Sequence, residues 1–433
     1  METKAIQIVA RDGRQPAEAD SFSSMLAPMR SVELFAGAGG LALGCELAGF
    51  QASRVVEWDR WACDTMRENG TAGYPLVKDW DVHEGDVRGL DWSDYSGKVD
   101  LVTGGPPCQP FSMGGKHGAA NDHRDMFPAT TEVIASLAPK AFIVENVKGL
   151  TRSAFQNYFT YIQLRLAMPE LVASKNESWF DHLMRLQAEH TTAHYSGLRY
   201  NVVPTLVNAA DYGVPQQRHR VFLIGFRSDM DAEWSFPEST HSKEALLHSQ
   251  WVTGEYWDKH GVAKRNRPQS PDTKIVERLS GLAPELLAAP WRTVRDALVG
   301  LPEPTLQGSK IFPNHLRQEG AKQYPGHTGS PLDLPSKALK AGGHGVPGGE
   351  NMILKVDGTV RYYTIREAAR IQTFPDQYVL HGAWGEAMRQ LGNAVPVLLA
   401  QKVAGSVRVA MELANVRAVL NTKSRGRRKT SAQ

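Results

Sequence analysis

The stretch that decides the fold is Val99-Asp-Leu-Val-Thr-Gly-Gly-Pro-Pro-Cys-Gln-Pro-Phe-Ser112. Its apolar beginning, Val99 to Thr103, is typical of a buried parallel strand, and the glycines and prolines after it force a rigid turn. The turn presents Cys108 at the carboxyl end of the strand. Ligands bind at this edge of open α/β sheets, so the position favours chemistry. Because a single intracellular cysteine is also often a small buried hydrophobic residue, its surroundings must decide.

Composition is that of an ordinary soluble globular protein. The 433 residues are 42% hydrophobic and 22% charged, which allows roughly two or three domains. The formal charge of +3 identifies no partner, since nucleic-acid binding depends on how basic groups cluster. The three cysteines fit neither a disulfide framework nor a zinc site. With no recognisable signal peptide or membrane-spanning run, we expect a cytoplasmic protein without metal or membrane association.

A glycine turn opens the first structured part of the chain. Ser31 to Ala36 is predicted to form a strand, Gly37-Ala-Gly-Gly40 a turn and Leu41 to Ala48 a helix. Glycines let backbone N–H groups approach a nucleotide-like ligand, and the helix N-terminus favours its negative charge. One such loop is equally compatible with a tight structural turn.

Acidic residues after the next strands favour the ligand-binding interpretation. Glu57 lies about twenty residues past the glycine turn, where a ribose diol is hydrogen-bonded in dinucleotide-binding folds. Trp58 can cover an adenine face, and Asp86 can accept a hydrogen bond from an exocyclic amine. Each acid alone is more often a solvated loop charge, but in series they indicate an adenosine pocket.

Three charged residues are predicted on the same sheet edge as Cys108. Glu145 interrupts the buried strand Ala141 to Val147 near its carboxyl end, and a buried carboxylate is costly unless it is paired or protonated. Arg218 and Arg220 alternate at period two, which predicts that both point to one face of a strand. They can form a charged solvent face, or hold anionic or carbonyl oxygens beside the thiol and the carboxylate.

The remaining chain divides by composition. We expect an N-terminal arm over 1–30, an α/β domain over 31–228 with a helical insertion over 151–196, and a second domain of short strands and loops over 229–384. Residues 385–420 return to the first domain, and 421–433 form a basic, disordered tail. The segment Gln109 to Arg124 has no hydrophobic period, so it is either a solvated connection or a lid that contacts phosphates.

Five motifs, in this order, resemble the cytosine-C5 DNA methyltransferases: Phe-Ala-Gly-Ala-Gly-Gly, Pro-Pro-Cys-Gln-Pro-Phe-Ser, Glu-Asn-Val, Gln-Gln-Arg-His-Arg and Gly-Asn-Ala-Val-Pro. The resemblance runs from about Ser31 to Leu420. It implies a Rossmann-like class I methyltransferase sheet with helices on both faces and a smaller, irregular target-recognition domain. It also implies S-adenosyl-L-methionine as methyl donor, double-stranded DNA as substrate and a setting in bacterial restriction-modification, beside a cognate endonuclease and acting at the nucleoid. A monomer is the simplest expectation.

The resemblance also implies roles for individual residues. Cys108 matches the nucleophile, while Glu145, Arg218 and Arg220 match residues that hold the flipped cytosine. The implied cofactor-binding residues are Phe35, Gly37, Gly39, Gly40, Glu57, Trp58, Asp86, Val87 and Asn393. The implied DNA contacts are Gln109, Ser112, Lys116, Arg124, Arg361, Thr364 and Arg366. A capping box of Thr364 and Glu367 is predicted to start a helix there.

Three other functions stay open at this point. An RNA cytosine methyltransferase would share the chemistry, although the large recognition region favours duplex DNA. A catalytically inactive DNA-binding module is less consistent with the intact Cys108, Glu145, Arg218 and Arg220. A nicotinamide dehydrogenase would explain the glycine turn and Glu57 but not the Pro-Pro-Cys or Glu-Asn-Val motifs. The sequence does not reveal the recognised DNA sequence.

Overall fold

A seven-stranded mixed sheet forms the centre of the computed structural model, which describes residues 28–107, 125–192, 195–282, 288–325, 327–341 and 351–430. The strands of the chain up to residue 227 are β1 (Met29–Leu34), β2 (Phe50–Glu57), β3 (Val82–Glu84), β4 (Leu101–Gly104), β5 (Ala141–Val147), β6 (Tyr200–Asn208), β7 (Gln216–Gln217) and β8 (His219–Arg227). The sheet order is β3-β2-β1-β4-β5-β8-β6, with β8 antiparallel to both neighbours. The order reverses between β1 and β4, so the ligand crevice is expected at their carboxyl ends.

Helices cover both faces of this sheet. The helices of this part are α1 (Gly40–Leu47), α2 (Arg60–Thr71), α3 (Phe127–Leu137), α4 (Gln156–Ala167) and α5 (Trp179–Thr192). Side chains alternate along the strands: Leu101 packs into a cluster with α1, while Val102 packs into a cluster with α3 and α4. This confirms the predicted α/β architecture.

The region after Ser228 contains helices as well as short strands. Its helices are α6 (Lys243–Trp251), α7 (Glu255–Lys259), α8 (Thr273–Ser280), α9 (Val294–Leu298) and α10 (Ile365–Ile371). Its strands are β9 (His241–Ser242), β10 (Ala289–Pro290), β11 (Ser330–Pro331), β12 (Ser336–Lys337), β13 (Met352–Leu354) and β14 (Val360–Tyr362). Between Ser228 and about Val360 we expected short strands and loops, so the prediction missed the helices α6 to α9, whereas α10 lies where the capping box predicted a helix. The side chains of Ser242, Asp272 and Thr293 cap three of these helices, and those cap residues are the sequence signal that was overlooked.

The chain ends in two helices, α11 (Trp384–Asn393) and α12 (Val397–Thr430). Helix α12 packs against α1 through a cluster that includes Val403, Val407 and Met411. By length and composition Trp384–Leu420 could cross a membrane, but most of its apolar window is buried inside the protein. The helix runs to Thr430, so the expectation of a disordered basic tail was also wrong. Lysine and arginine have high helix propensity, which the prediction of a disordered tail did not take into account.

Candidate functional site

The glycine turn between β1 and α1 has a left-handed backbone. Phe35, Gly37 and Gly39 have φ angles of 54°, 56° and 81°, a region that glycine adopts without steric cost. A Cβ atom on Gly39 would lie 2.9 Å from the Trp80 ring, whereas one on Gly37 would meet nothing within 4 Å. The turn is therefore tight on the protein side and open at Gly37. The N-terminus of α1 begins directly after it, at Gly40.

Glu57, at the end of β2, holds this turn in place. Its Oε2 accepts a hydrogen bond from the Gly37 N–H at 2.7 Å, and Oε1 accepts from the N–H groups of Trp58 and Asp59 at 2.8 Å each. Burial raises the pKa of Glu57, and the three N–H groups oppose that rise. Because a carboxylate has about four acceptor positions, one remains for a hydroxyl group. This fits the ribose-binding role implied for Glu57.

The other residues expected to bind the cofactor follow β2 and β3 or lie at the end of α11. The Trp58 side chain is 73% exposed, while Val87 is buried. Asp86 follows β3 and is paired with Arg88, which donates from its backbone N–H at 2.9 Å and from its guanidinium. Asn393 is exposed at the end of α11. Asp86 therefore shares its carboxylate with Arg88, and any ligand amine must compete with this ion pair.

Glu145 lies near the carboxyl end of β5, next to β4. Its carboxylate is buried, and its Oε1 forms an ion pair with Nε of Arg220 at 2.7 Å. A Cβ atom on Gly105 would lie 3.3 Å from Glu145 Oε2, so a side chain there would crowd the carboxylate. Burial raises the pKa of Glu145, although Arg220 and Arg218 oppose the rise. Glu145 therefore holds a proton more strongly than an ordinary glutamate.

The turn after β4 is fixed to β5 by Asn146, a residue that sequence reasoning left without a role. Asn146 Nδ2 donates to the Pro106 carbonyl oxygen at 2.9 Å, and Asn146 Oδ1 accepts from the Val147 N–H at 2.8 Å. Gly105 was likewise not singled out. The signal was present in the motifs Gly-Gly-Pro-Pro and Glu-Asn-Val, but only the sheet order shows that they are neighbours. Together they hold Glu145 at the base of the turn that leads to Cys108.

Arg218 and Arg220 have different surroundings, because Arg218 lies in a break between β7 and β8 rather than within one strand. Strand β7 pairs with β12 outside the central sheet. Arg218 is fully buried and donates to the carbonyl oxygens of Leu339 at 3.0 Å and Gly392 at 2.7 Å. Arg220 instead contacts Glu145. The structure thus brings Arg220 to the acid, whereas the terminal nitrogens of Arg218 hold the backbone of two distant segments.

Three residues that we expected to contact DNA are engaged within the protein. Thr364 caps α10 in the predicted capping box with Glu367, and Arg361 forms an ion pair with Glu367 at 2.6 Å. The Arg366 guanidinium donates to the carbonyl oxygens of Pro313, Pro375 and Tyr378 at 2.8 to 3.1 Å. Thr364 and Arg366 are fully buried, so their assignment as DNA contacts is corrected: their hydrogen bonds cap α10 and connect it to neighbouring backbone segments.

Several expected site residues lie outside the described residues: Cys108, Gln109, Ser112, Lys116 and Arg124. On either side of them, the Met126 N–H donates to the Pro107 carbonyl oxygen at 3.5 Å. Among the residues that the structure describes, no group of three or more His, Cys, Asp or Glu side chains could hold a metal ion.

Comparison with known proteins identifies the family. The C-5 cytosine-specific DNA methylase family matches residues 29–167 and 180–408. The residues left out between these ranges fall inside the segment expected to be an insertion.

Individual relatives give the same result across most of the chain. The chain is 29% identical to the type II methyltransferase M.NgoPII of Neisseria gonorrhoeae, over 89% of this chain and 97% of that protein. It is 31% identical to M.PspPI of Psychrobacter sp., over 88% of this chain and 80% of that protein.

Solved structures share the fold. A prophage-encoded DNA modification methyltransferase of E. coli superposes with a TM-score of 0.52 and 19% identity, covering 89% of this chain and 99% of that one. Dnmt2 methyltransferase of S. pombe superposes with a TM-score of 0.51 and 17% identity over the same shares. Fold, motifs and sequence similarity over most of its length agree that the chain belongs to the C-5 cytosine-specific DNA methylase family.

Proposed function

We propose that the chain transfers a methyl group from S-adenosyl-L-methionine to C5 of a cytosine in a short duplex DNA sequence. The observation that carries this proposal is the buried pair of Glu145 and Arg220 at the base of the turn that leads to Cys108. On the same sheet edge, Glu57 holds the open glycine turn and retains acceptor capacity for a hydroxyl group. An acid for the base and a cradle for the cofactor thus lie beside the segment that carries the thiol.

The chemistry requires a thiolate and a proton donor because cytosine C5 alone is too weak a nucleophile. The Cys108 thiolate adds to C6 while Glu145 donates a proton to N3, which converts the ring into an enamine. When bound, S-adenosyl-L-methionine would supply the methyl group, since breaking its S–CH3 bond as the bond to C5 forms would release S-adenosyl-L-homocysteine. Loss of the C5 proton to a base, elimination of the Cys108 thiolate and return of the N3 proton to Glu145 then restore the aromatic ring. The raised pKa of Glu145 supports its role as the proton donor.

The two arginines have separate roles in this proposal. Arg220 orients the Glu145 carboxylate through the 2.7 Å ion pair and lies where it can contact the base. Arg218 is a positioning residue, since its terminal nitrogens hold the Leu339 and Gly392 carbonyl oxygens and its charge faces the same acid. Its burial lowers its own pKa, and Glu145 opposes that effect.

The substrate and setting follow from the reaction. C6 is inaccessible in a stacked duplex, so the cytosine must be flipped out at a cost of about a few kcal/mol. We propose Gln109, Ser112, Lys116 and Arg124 as contacts to the opened DNA.

The type II relatives support a modification enzyme that works beside a cognate restriction endonuclease in the cytoplasm, at the nucleoid. No residue from a second copy is needed for the chemistry.

The first test is bisulfite sequencing of DNA from a host that lacks cytosine methylation and expresses the chain or its Cys108→Ser variant. We expect protected cytosines in one short sequence context with the wild type and none with the variant. Both proteins should bind S-adenosyl-L-methionine with similar affinity, because Cys108 is not a cofactor residue in the proposal. A soluble wild type that binds the cofactor but protects no cytosine contradicts the DNA assignment. Methylation of RNA by the same preparation would then support the RNA alternative.

A further inference from the structure

Helix α12 carries a second apolar stripe that does not pack on its own domain. The residues of this stripe are Val409, Leu413, Val416 and Leu420, each 52–60% exposed. Their spacing of four, three and four residues is the repeat of a coiled-coil seam. The buried face of α12 is separate and is formed by Val403, Val407, Ala410, Met411 and Ala414. Helix α12 thus has two separate apolar faces, one buried in the protein and one exposed to solvent.

Glu412 and Arg417 flank the outer stripe, and their opposite charges would pair between two copies of the helix. With Leu413 and Leu420 at the a positions and Val409 and Val416 at the d positions, Glu412 falls at g and Arg417 at the following e. In a parallel two-stranded coiled coil these positions face each other across the seam, so each Glu412 would meet the Arg417 of the other helix. Within the chain, Glu412 pairs with Arg408 and Arg417 with Glu233, both as surface pairs that cost little to exchange.

We propose that a second copy of this chain binds the outer stripe, forming a parallel two-stranded coiled coil over Val409 to Leu420. By sequence the next seam positions are Lys423 and Arg427, and like charges facing each other disfavour pairing, so the proposed seam ends at Leu420. The stripe spans about 16 Å at 1.5 Å per residue. An interface of this length is small, so the dimer is weak and depends on protein concentration. The dimer differs from the monomer expected from the sequence and is independent of the proposed methyl transfer.

Sedimentation of the full chain over roughly 1–200 µM tests the proposal in the affinity range of a weak interface. The average mass of the wild type should rise from 47.7 kDa towards twice that value. The double variant Leu413→Glu/Val416→Glu should remain a monomer. Ile311→Glu, an equally drastic change at an exposed apolar residue elsewhere, should dimerise like the wild type.

Charge reversal tests the parallel arrangement. Glu412→Arg should weaken the dimer by at least about tenfold, and adding Arg417→Glu should restore it, because the pair is then inverted rather than lost. Failure of the second change to restore association overturns the parallel pairing.

A wild type of constant monomer mass overturns the whole proposal. Two further measurements would then show what else covers the stripe. Dimers that form only after removal of residues 1–27 would assign it to the first residues of the chain. Binding of the monomer to phosphatidylcholine vesicles would assign it to a lipid surface.

Discussion

Glu33, in the middle of β1, is a buried acid that the proposed reaction does not use. It accepts a hydrogen bond from the Thr103 hydroxyl on β4, and the Cys45 thiol and the Ser31 hydroxyl also lie beside its carboxylate. Burial raises the pKa of Glu33 from 4.5 to about 7, and the hydrogen bond from Thr103 opposes that rise. Glu33 is therefore a candidate for a pH-dependent loss of stability.

We expect Glu33→Gln to remove part of the pH dependence of unfolding. As pH rises from 4.5 towards 7, the unfolded chain releases this proton before the folded one does, so the folded state loses stability. Above pH 7 the free energy of unfolding should be about 3 kcal/mol lower than at acid pH. Each pH unit between the unfolded pKa of 4.5 and the folded pKa of about 7 lowers it by about 1.4 kcal/mol. Urea unfolding at acid and alkaline pH measures it. Glu68→Gln, at an exposed acid, should keep the wild-type profile; an identical profile for Glu33→Gln contradicts the assignment.

At the scale of elements, buried arginines connect helices and turns that lie far apart in the sequence. Arg366 in α10 donates to three backbone carbonyl oxygens, and Arg218, between β7 and β8, donates to Leu339 after β12 and to Gly392 in α11. Leaving a buried guanidinium without these acceptors, or the buried carbonyl oxygens without their donor, greatly lowers the free energy of unfolding. These arginines are structural connections in a fold that binds DNA.

Arg366→Leu should lower the free energy of unfolding by about 3 kcal/mol, since three buried carbonyl oxygens lose their donor. Arg265→Leu, at an exposed arginine, should change stability by less than about 0.5 kcal/mol. Chemical denaturation provides both values. If Arg366→Leu is as stable as Arg265→Leu but reduces the salt dependence of DNA binding, Arg366 is a phosphate contact and our correction fails.

Gly392 in α11 should not tolerate a larger side chain. A Cβ atom there would overlap the backbone of Lys340 and Ala341, so Gly392→Ala must push two segments apart. We expect a loss of about 1–3 kcal/mol. Gly385→Ala in the same helix meets nothing within 4 Å and should be neutral or gain about 0.5–1 kcal/mol from helix propensity. Thermal unfolding of the two variants measures the difference. Equal midpoints would show that the close approach of Gly392 to Lys340 and Ala341 does not contribute to stability.

At the scale of the whole molecule, cofactor binding should stabilise the folded chain through Glu57. At a free cofactor concentration one hundred times its Kd, the free energy of unfolding should rise by about 2.7 kcal/mol. Glu57→Gln replaces one acceptor oxygen with a donor, so its affinity for S-adenosyl-L-methionine should fall by about tenfold or more. Titration calorimetry and thermal shift measure the change. Glu68→Gln should bind like the wild type, and an unchanged Kd for Glu57→Gln would exclude a ribose contact.

Much of the fold was predictable because its signals are local. The glycine turn, the strand Ala141–Val147 and the capping box at Thr364 each depend on neighbouring residues, and the structure confirms all three. The partners of Arg218 were not predictable, since Leu339 and Gly392 lie 121 and 174 positions away. Asn146 was likewise left without a role because its partner, Pro106, lies 40 positions away, in the turn after the neighbouring strand β4. Sequence patterns therefore indicated which segments lie at one edge of the sheet but not which side chains connect them.

The contacts of Arg218 also have a consequence for how this chain can diversify. Its guanidinium holds the chain at Leu339 and Gly392, and β7 next to it pairs with β12, so the returning chain and α11 are both anchored at the edge of the sheet where Glu145 lies. Changes between β8 and β12 that keep these anchors need not disturb Glu145. We therefore expect the sequence of this segment to vary more freely than Arg218 and the backbone that it holds.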